Sequence, residues 1–449
     1  MSAASAPTRT LYLSQFERRE QTRSEHVPSW LRALRRQAIG RFAELGFPST
    51  KEEDWRFTNV APIAAVPFED GLPADVDDAS AGIERSHLFL RELRSSQLVF
   101  VNGRYCPELS AHDPGALGVQ VEPLATAVQA EPELLETFLA RFVRDGNGFA
   151  ALNAAFLEDG ALVRVRKGAN LEAPIYLTYV AAPDGRPRVS HPRNLVVVEE
   201  DSQVTIVETH VGASDGVYFT NAVTEIVVGP GARVQYEMLQ QIGDQAFHVG
   251  HVHVQQERGS SFSSSAIFLG GGLVRNDLHV VLAAEGSECN LDGLYLATGK
   301  QHVDNHTTID HATPHCSSRE LYKGVLDDQA KAVFNGKIIV RKDAQKTDAR
   351  QTNKNLVLSE GASINTKPQL EIFADDVKCA HGATIGQLDA DALYYLQSRG
   401  IDAEEARQLL IHAFASDVVE RVRARALRTQ LENLLAAWLG AIRHRKEAA

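Results

Sequence analysis

Apolar and polar positions alternate along this chain in three different ways. Over residues 28–49 the run PSWLRALRRQAIGRFAELGFPS places Trp30, Leu31, Leu34, Ala38, Phe42 and Leu45 at helical spacing, and Gly46 with Pro48 ends the helix. KEEDWRFTNV follows at 51–60. Further on, QLVFVNGRY (97–105) carries a strand pattern that runs into Asn102-Gly103, the dipeptide that most favours a two-residue hairpin turn. A second helical stretch is expected near 131–143. Residues 1–160 therefore read as a mixed helical and strand domain.

From about 161 to 386 the pattern changes to short β-branched runs, among them LVVVEE, VTIVE, TEIVV, LHVVLA and KIIV, separated by polar turns with glycine. A repeat runs beneath them. Gly168-Ala169-Asn170-Leu171, Asp201-Ser202-Gln203-Val204, Gly231-Ala232-Arg233-Val234, Gly259-Ser260-Ser261-Phe262, Gly286-Ser287-Glu288-Cys289 and Gly361-Ala362-Ser363-Ile364 share one form. Each is a turn-forming residue, two small or polar residues, and a buried-type residue that opens a strand. The intervals are 33, 30, 28, 27 and 75 residues, the last read as three steps of 25. Short strands cannot bury an apolar face alone, whereas stacked rungs share one core. The pattern predicts a mainly β chain built on a right-handed parallel β-helix, with a β-sandwich as the competing arrangement.

Residues 387–449 turn helical. Asp389 caps a helix that Gly400 ends, and Asp402 with Glu405 forms a capping box for the next. Leu427, Leu431, Leu434, Leu435, Trp438 and Ile442 make one apolar stripe. From 415 to 449 there are seven Lys or Arg against four Asp or Glu. The stripe packs into a core or forms a docking face for another protein. If it docks a partner, removing the helices at 387 should leave the β-helix folded.

Composition narrows the function. The 449 residues are 44% hydrophobic and 23% charged, as in an ordinary globular protein, and the formal charge is −12. So negative a chain is a poor nucleic-acid or anionic-membrane binder. No transmembrane-length apolar run or signal-peptide stretch occurs, so a cytoplasmic chain is expected. Cys106, Cys289, Cys316 and Cys379 are spaced too widely for a disulfide framework and include no Cys-x-x-Cys pair. They are expected to be reduced thiols.

Several catalytic engines are missing. Gly293 stands one residue too far from Gly299-Lys300 for a phosphate-binding loop, and Gln301 replaces its Ser or Thr, so this chain should bind no ATP. Histidines cluster at His248, His251 and His253, and again at His302, His306, His311 and His315 before Cys316. On a strand His251 and His253 share a face and could meet one ion; stacking along a rung is the alternative. In VKCAHGATIG, Cys379 and His381 are likewise one residue apart, offering a sulfur and a nitrogen on one face.

The long stretch 302–389 turns these fragments into a resemblance. FNGKIIV, TKPQLEIFADDVKCAHGATIG and YYLQSRGI, with KEEDWRFTNV and LVFVNGRY upstream, resemble the SufBD family of iron–sulfur cluster assembly proteins over essentially the full length. They are most similar to its SufD-type members. The resemblance implies a non-catalytic scaffold subunit with a β-helix core (161–386), which pairs with the paralogue SufB and holds the SufC ATPase through its C-terminal helices (387–449). A homodimer is possible for the isolated chain. Cys379 and His381 fall where SufD-type members carry interface residues, so the resemblance implies that they hold iron or a transient iron–sulfur cluster shared with SufB and assist iron entry. The flavin attributed to such complexes maps to no residue here. SufB-type chains carry a cysteine in the rung that here reads DARQTNKNLVL, and a glutamate-bearing segment in place of KCAHGATIG. A polysaccharide-cleaving β-helix enzyme and a stand-alone metal-binding protein are the alternatives.

Overall fold

The computed structural model describes residues 5–23, 27–70, 96–111, 117–141 and 147–447. The chain winds as a β-solenoid of about eight turns. Short strands β1 (Glu69–Asp70), β2 (Gln97–Val101), β3 (Arg104–Tyr105) and β4 (Val119–Pro123) come first, then β5 (Ala161–Val165), β6 (Ile175–Ala181) and β7 (Arg188–Ser190). One sheet continues through β8 (Arg193–Val198), β10 (Tyr218–Val228), β12 (Phe247–Gln256), β14 (Leu273–Leu282), β16 (His302–His311), β18 (Lys331–Val340) and β20 (Ser363–Ile372). The facing sheet continues through β9 (Gln203–Gly212), β11 (Arg233–Ile242), β13 (Ser261–Gly270), β15 (Glu288–Ala297), β17 (Ser317–Leu326), β19 (Asp348–Val357) and β21 (Lys378–Gly386). Each strand from β8 onward pairs in parallel with the strand two ahead of it. Antiparallel neighbours, which a sandwich needs, occur only near the start among the described residues, in β2–β3, in β4–β5 and at the isolated bridge of Gln97 with Ala111.

The turns explain both the repeat and an error in reading it. Along one edge Gly168, Asp201, Gly231, Gly259, Gly286, His315 and Lys346 all have φ between 53° and 77°. All but Gly286 donate their amide N–H to the next turn, as Gly231 to the Arg258 carbonyl at 2.9 Å and His315 to that of Gln345 at 2.9 Å. Gly361 opens β20 in the opposite sheet, so the interval of 75 was never three equal steps. The rungs between carry a histidine and a lysine in the left-handed region, where glycine is the ordinary occupant.

Alternate residues face the lumen and build one continuous core, in which Val204, Val234, Phe262 and Cys289 stack in register. The hairpin predicted at Asn102-Gly103 forms, with φ of 49° and 79°. The helix Ser29–Leu45 forms and ends at Gly46 as expected; the helix at 131–143 is realised as Pro132–Phe138, and its residues beyond 141 lie outside those described. The pattern did not announce the helix Ser5–Arg23, which buries Tyr12 and Phe16 against Phe42 and Phe156. KEEDWRF clamps this N-terminal region to the solenoid. Trp55 is buried, the Arg275 guanidinium lies 4.2 Å over its ring, and Arg275 Nη1 donates to the Asp54 carbonyl at 2.8 Å.

Three helices close the chain: Ala390–Ser398, Ala403–Val419 and Arg425–Glu447. Asp389 and Asp402 cap the first two through side-chain oxygens. The apolar stripe of the last is not a free face. Leu427, Leu431, Leu434 and Leu435 pack with Ile267, Leu269, Leu294, Leu296 and Val325 on the outside of the odd-numbered sheet. Deleting the helices would bare that apolar flank, a physical reason to expect lost stability where the sequence reading expected the β-helix to stay folded after truncation at 387.

Candidate functional site

Among the described residues the winding stops at the C-terminal end without a cap: β20 pairs only with β18, and β21 only with β19, so each keeps one edge of its ladder open. Ile372, Phe373 and Ile385 stand there at 39%, 64% and 54% exposure, whereas Val340, the partner of Ile372 one rung below, is buried. An apolar, unpaired strand end is a pairing template that isolated proteins usually cover.

Cys379 and His381 lie on β21, in this open rung. Cys379 is opposite Ala349, and His381 opposite Gln351. Both belong to lumen-facing columns. Beneath Cys379 run Ala349, Ser318 and Cys289; beneath His381 run Gln351, Glu320 and Leu291. Cys379 packs against the cluster of Ile338, Val340, Ala349 and Ala374 and is half-buried. Burial pushes its thiol up, helped by the Asp348 carboxylate and opposed by the Ala349 backbone. A thiol so placed holds its proton until a cation displaces it. His381 is exposed. The sequence expectation that the two share one face is met by the register. They do not complete a metal site, since no group of three or more His, Cys, Asp or Glu residues arranged for a metal occurs among the described residues.

The other candidates scatter. His248 is buried in the lumen, where its ring meets that of His210 at 4.8 Å. His251 and His253 lie two apart on the outer face, but each finds its own neighbour. His251 Nδ1 is 3.3 Å from Asp277, and the His253 ring lies 4.8 Å from that of His279. His302 meets Thr58 at 2.9 Å, His306 pairs with Asp304 at 3.1 Å, and His311 bonds Ser318 inside the lumen at 2.9 Å. His315 sits in an exposed turn. Stacking and local pairing, the alternative weighed for these clusters, is what the described residues display. All four cysteines are free, and Cys106, Cys289 and Cys316 are buried.

Two further residues belong to the site's surroundings, and neither announced itself. Glu320 is buried two rungs below His381, where Gln351 Nε2 donates to it at 2.6 Å. Burial raises its carboxyl to about 7 against the hydrogen bonds of Thr307 and Gln351. The available signal was parity: in SSRELYKGVL the glutamate falls at a lumen position between Ser318 and Tyr322.

Comparison with known proteins bears on this end of the fold. The family profile "SUF system FeS cluster assembly, SufBD core domain" matches residues 179–414, and "SufBD protein N-terminal region" matches 6–177. The chain belongs to the SufBD family. It is 34% identical over 410 residues to an iron–sulfur cluster assembly SufBD family protein of Synechocystis, covering 90% of each chain. It is 31% identical to the iron–sulfur cluster assembly protein SufD of Escherichia coli over 88% of this chain and 90% of that one. With SufD of Bacillus subtilis the identity is 27% over 94% and 96%. The SufBD core profile thus takes in the whole open end, together with the first C-terminal helix and most of the second. No described helix is long and apolar enough to cross a membrane.

Proposed function

We propose that this chain is a SufD-type scaffold subunit, non-catalytic in itself, whose open solenoid end pairs with the paralogue SufB and holds iron or a nascent iron–sulfur cluster between the two. The observation that carries this reading is the position of Cys379 and His381 on one face of the last strand, whose outer edge is open. A cargo that must be released suits incomplete, shared ligation rather than a closed four-thiolate site. One thiolate and one imidazole from this chain leave the remaining positions to the partner. Iron is the cargo here, entering at the joint. The exposed Ile372, Phe373 and Ile385 supply the apolar area for that contact.

The C-terminal helices are the dock for the SufC ATPase in this reading. Their apolar stripe is buried, so the dock uses the outer surface, where Tyr394, Tyr395 and Leu409 are exposed at 73%, 56% and 46%. ATP is bound by SufC, because this chain lacks a phosphate-binding loop. A homodimer through the same open end is the fallback arrangement when SufB is absent, and no flavin contact is assigned to this chain.

The test is genetic and physical together. His381→Ala and Cys379→Ser should leave folding and SufB co-purification intact while lowering cluster formation in cells, His381→Ala by about tenfold or more. Normal cluster formation by His381→Ala defeats the reading. Tyr394→Asp combined with Leu409→Asp should abolish SufC co-purification and leave SufB bound.

A further inference from the structure

The lumen beneath His381 carries polar side chains within the core. In one sheet Leu291, Glu320, Gln351 and His381 form a column, and in the facing sheet Leu278, Thr307, Gly336 and Pro368 form another, with Glu320 meeting Thr307 across the lumen. Gln351 reaches across the lumen. A Cβ on Gly336 would fall 2.2 Å from its Nε2, so the glycine makes the room the amide occupies. Gln351 is 2% exposed, and its Oε1 has no hydrogen-bond partner. A buried amide oxygen left unmet is destabilising, so it is a feature in need of a donor.

The orientation of that amide is set from below. Glu320 is 4% exposed and accepts from Gln351 Nε2 at 2.6 Å. Above pH 7, as in the test below, this carboxyl is ionised and only accepts, so it draws the amide nitrogen to itself and turns the oxygen away. In the column, the next side chain on the same face is His381. We propose that Gln351, oriented by Glu320, is a positioning residue for His381: its carbonyl oxygen accepts the lumen-facing ring N–H and so leaves the other ring nitrogen bare at the open end. A histidine that ligates a metal commonly has its second nitrogen held by such an acceptor, which fixes tautomer and ring direction together. Without it an exposed imidazole samples both tautomers and several rotamers.

This inference rests on the reading of His381 as a ligand, yet its test does not. The full-length chain is labelled with 15N-histidine and observed at pH 8, with His381 assigned through His381→Ala. In the parent chain His381 should give one protonated and one bare nitrogen signal. In Gln351→Leu both should move toward the averaged positions of a mixed tautomer. Gln351→Glu, which keeps an acceptor at the same place, should restore the single tautomer; Gln351→Met serves where the leucine variant does not fold. Signals for His381 that are unchanged in the folded Leu or Met variant overturn the proposal. Normal cluster formation by His381→Ala would instead sink the ligand reading while leaving the tautomer result standing.

Discussion

Glu320 carries a carboxyl into the lumen beside Leu291, Tyr322 and Cys289, and this has a consequence for stability against pH. Burial is the larger influence and raises it to about 7, with Asp292 adding to the rise and the bonds from Thr307 and Gln351 opposing it. The folded chain therefore keeps a proton that the unfolded chain releases near its ordinary 4.5. The sign follows: this contribution is full below about 4.5 and is lost as pH rises through 7, amounting to about 3 kcal/mol at most. Glu320→Gln should flatten the difference between urea midpoints at pH 5 and pH 8. An unchanged difference would show that another group carries it. Cys379 behaves in the opposite functional sense. Its raised thiol means that cation capture at the open end releases a proton, so binding of Zn2+ as a probe by the parent chain should strengthen with pH, and Cys379→Ser should lose most of that slope.

Among the elements, the C-terminal helices show how strongly the flank of the solenoid depends on them. Glu237 is fully buried on β11, and its carboxylate accepts the backbone N–H groups of Arg423 and Ala424, just before the helix Arg425–Glu447 begins. A carboxylate at a helix N-terminus satisfies orphan donors and meets the positive end of the helix dipole. Lys323 adds a second anchor, donating to the Phe414 carbonyl at 3.0 Å and pairing with Asp417 at 2.7 Å. Glu237→Ala should cost about 1–2 kcal/mol. Hydrogen exchange should quicken through 423–435 while the amides of β13 and β15 stay protected; uniform loss of protection would mean that the helix and the solenoid open as one unit.

At the scale of the whole molecule, two surfaces of unlike kind remain, a covered flank and an open end. A chain ending at 387 should aggregate or unfold at lower urea than the full chain, because Leu294, Leu296 and Val325 lose their cover. A truncated chain as stable as the parent would show that the flank tolerates water. Much of this architecture was legible in the sequence, because its causes are local. Period-two alternation, a turn residue about every thirty positions, the Asn102-Gly103 hairpin and the caps at Asp389 and Asp402 all act within a few residues of themselves. Where His315 and Lys346 replaced glycine in the turns, the local signal vanished and the count of rungs slipped with it. The shared face of Cys379 and His381 followed from alternation alone. What only the winding decided was which residues from different rungs meet. Strands thirty residues apart lie one hydrogen bond apart in a solenoid, so the stacking of Glu320, Gln351 and His381, the burial of the leucine stripe against β13, β15 and β17, and the scattering of the histidines all depend on a register that no short window of sequence contains.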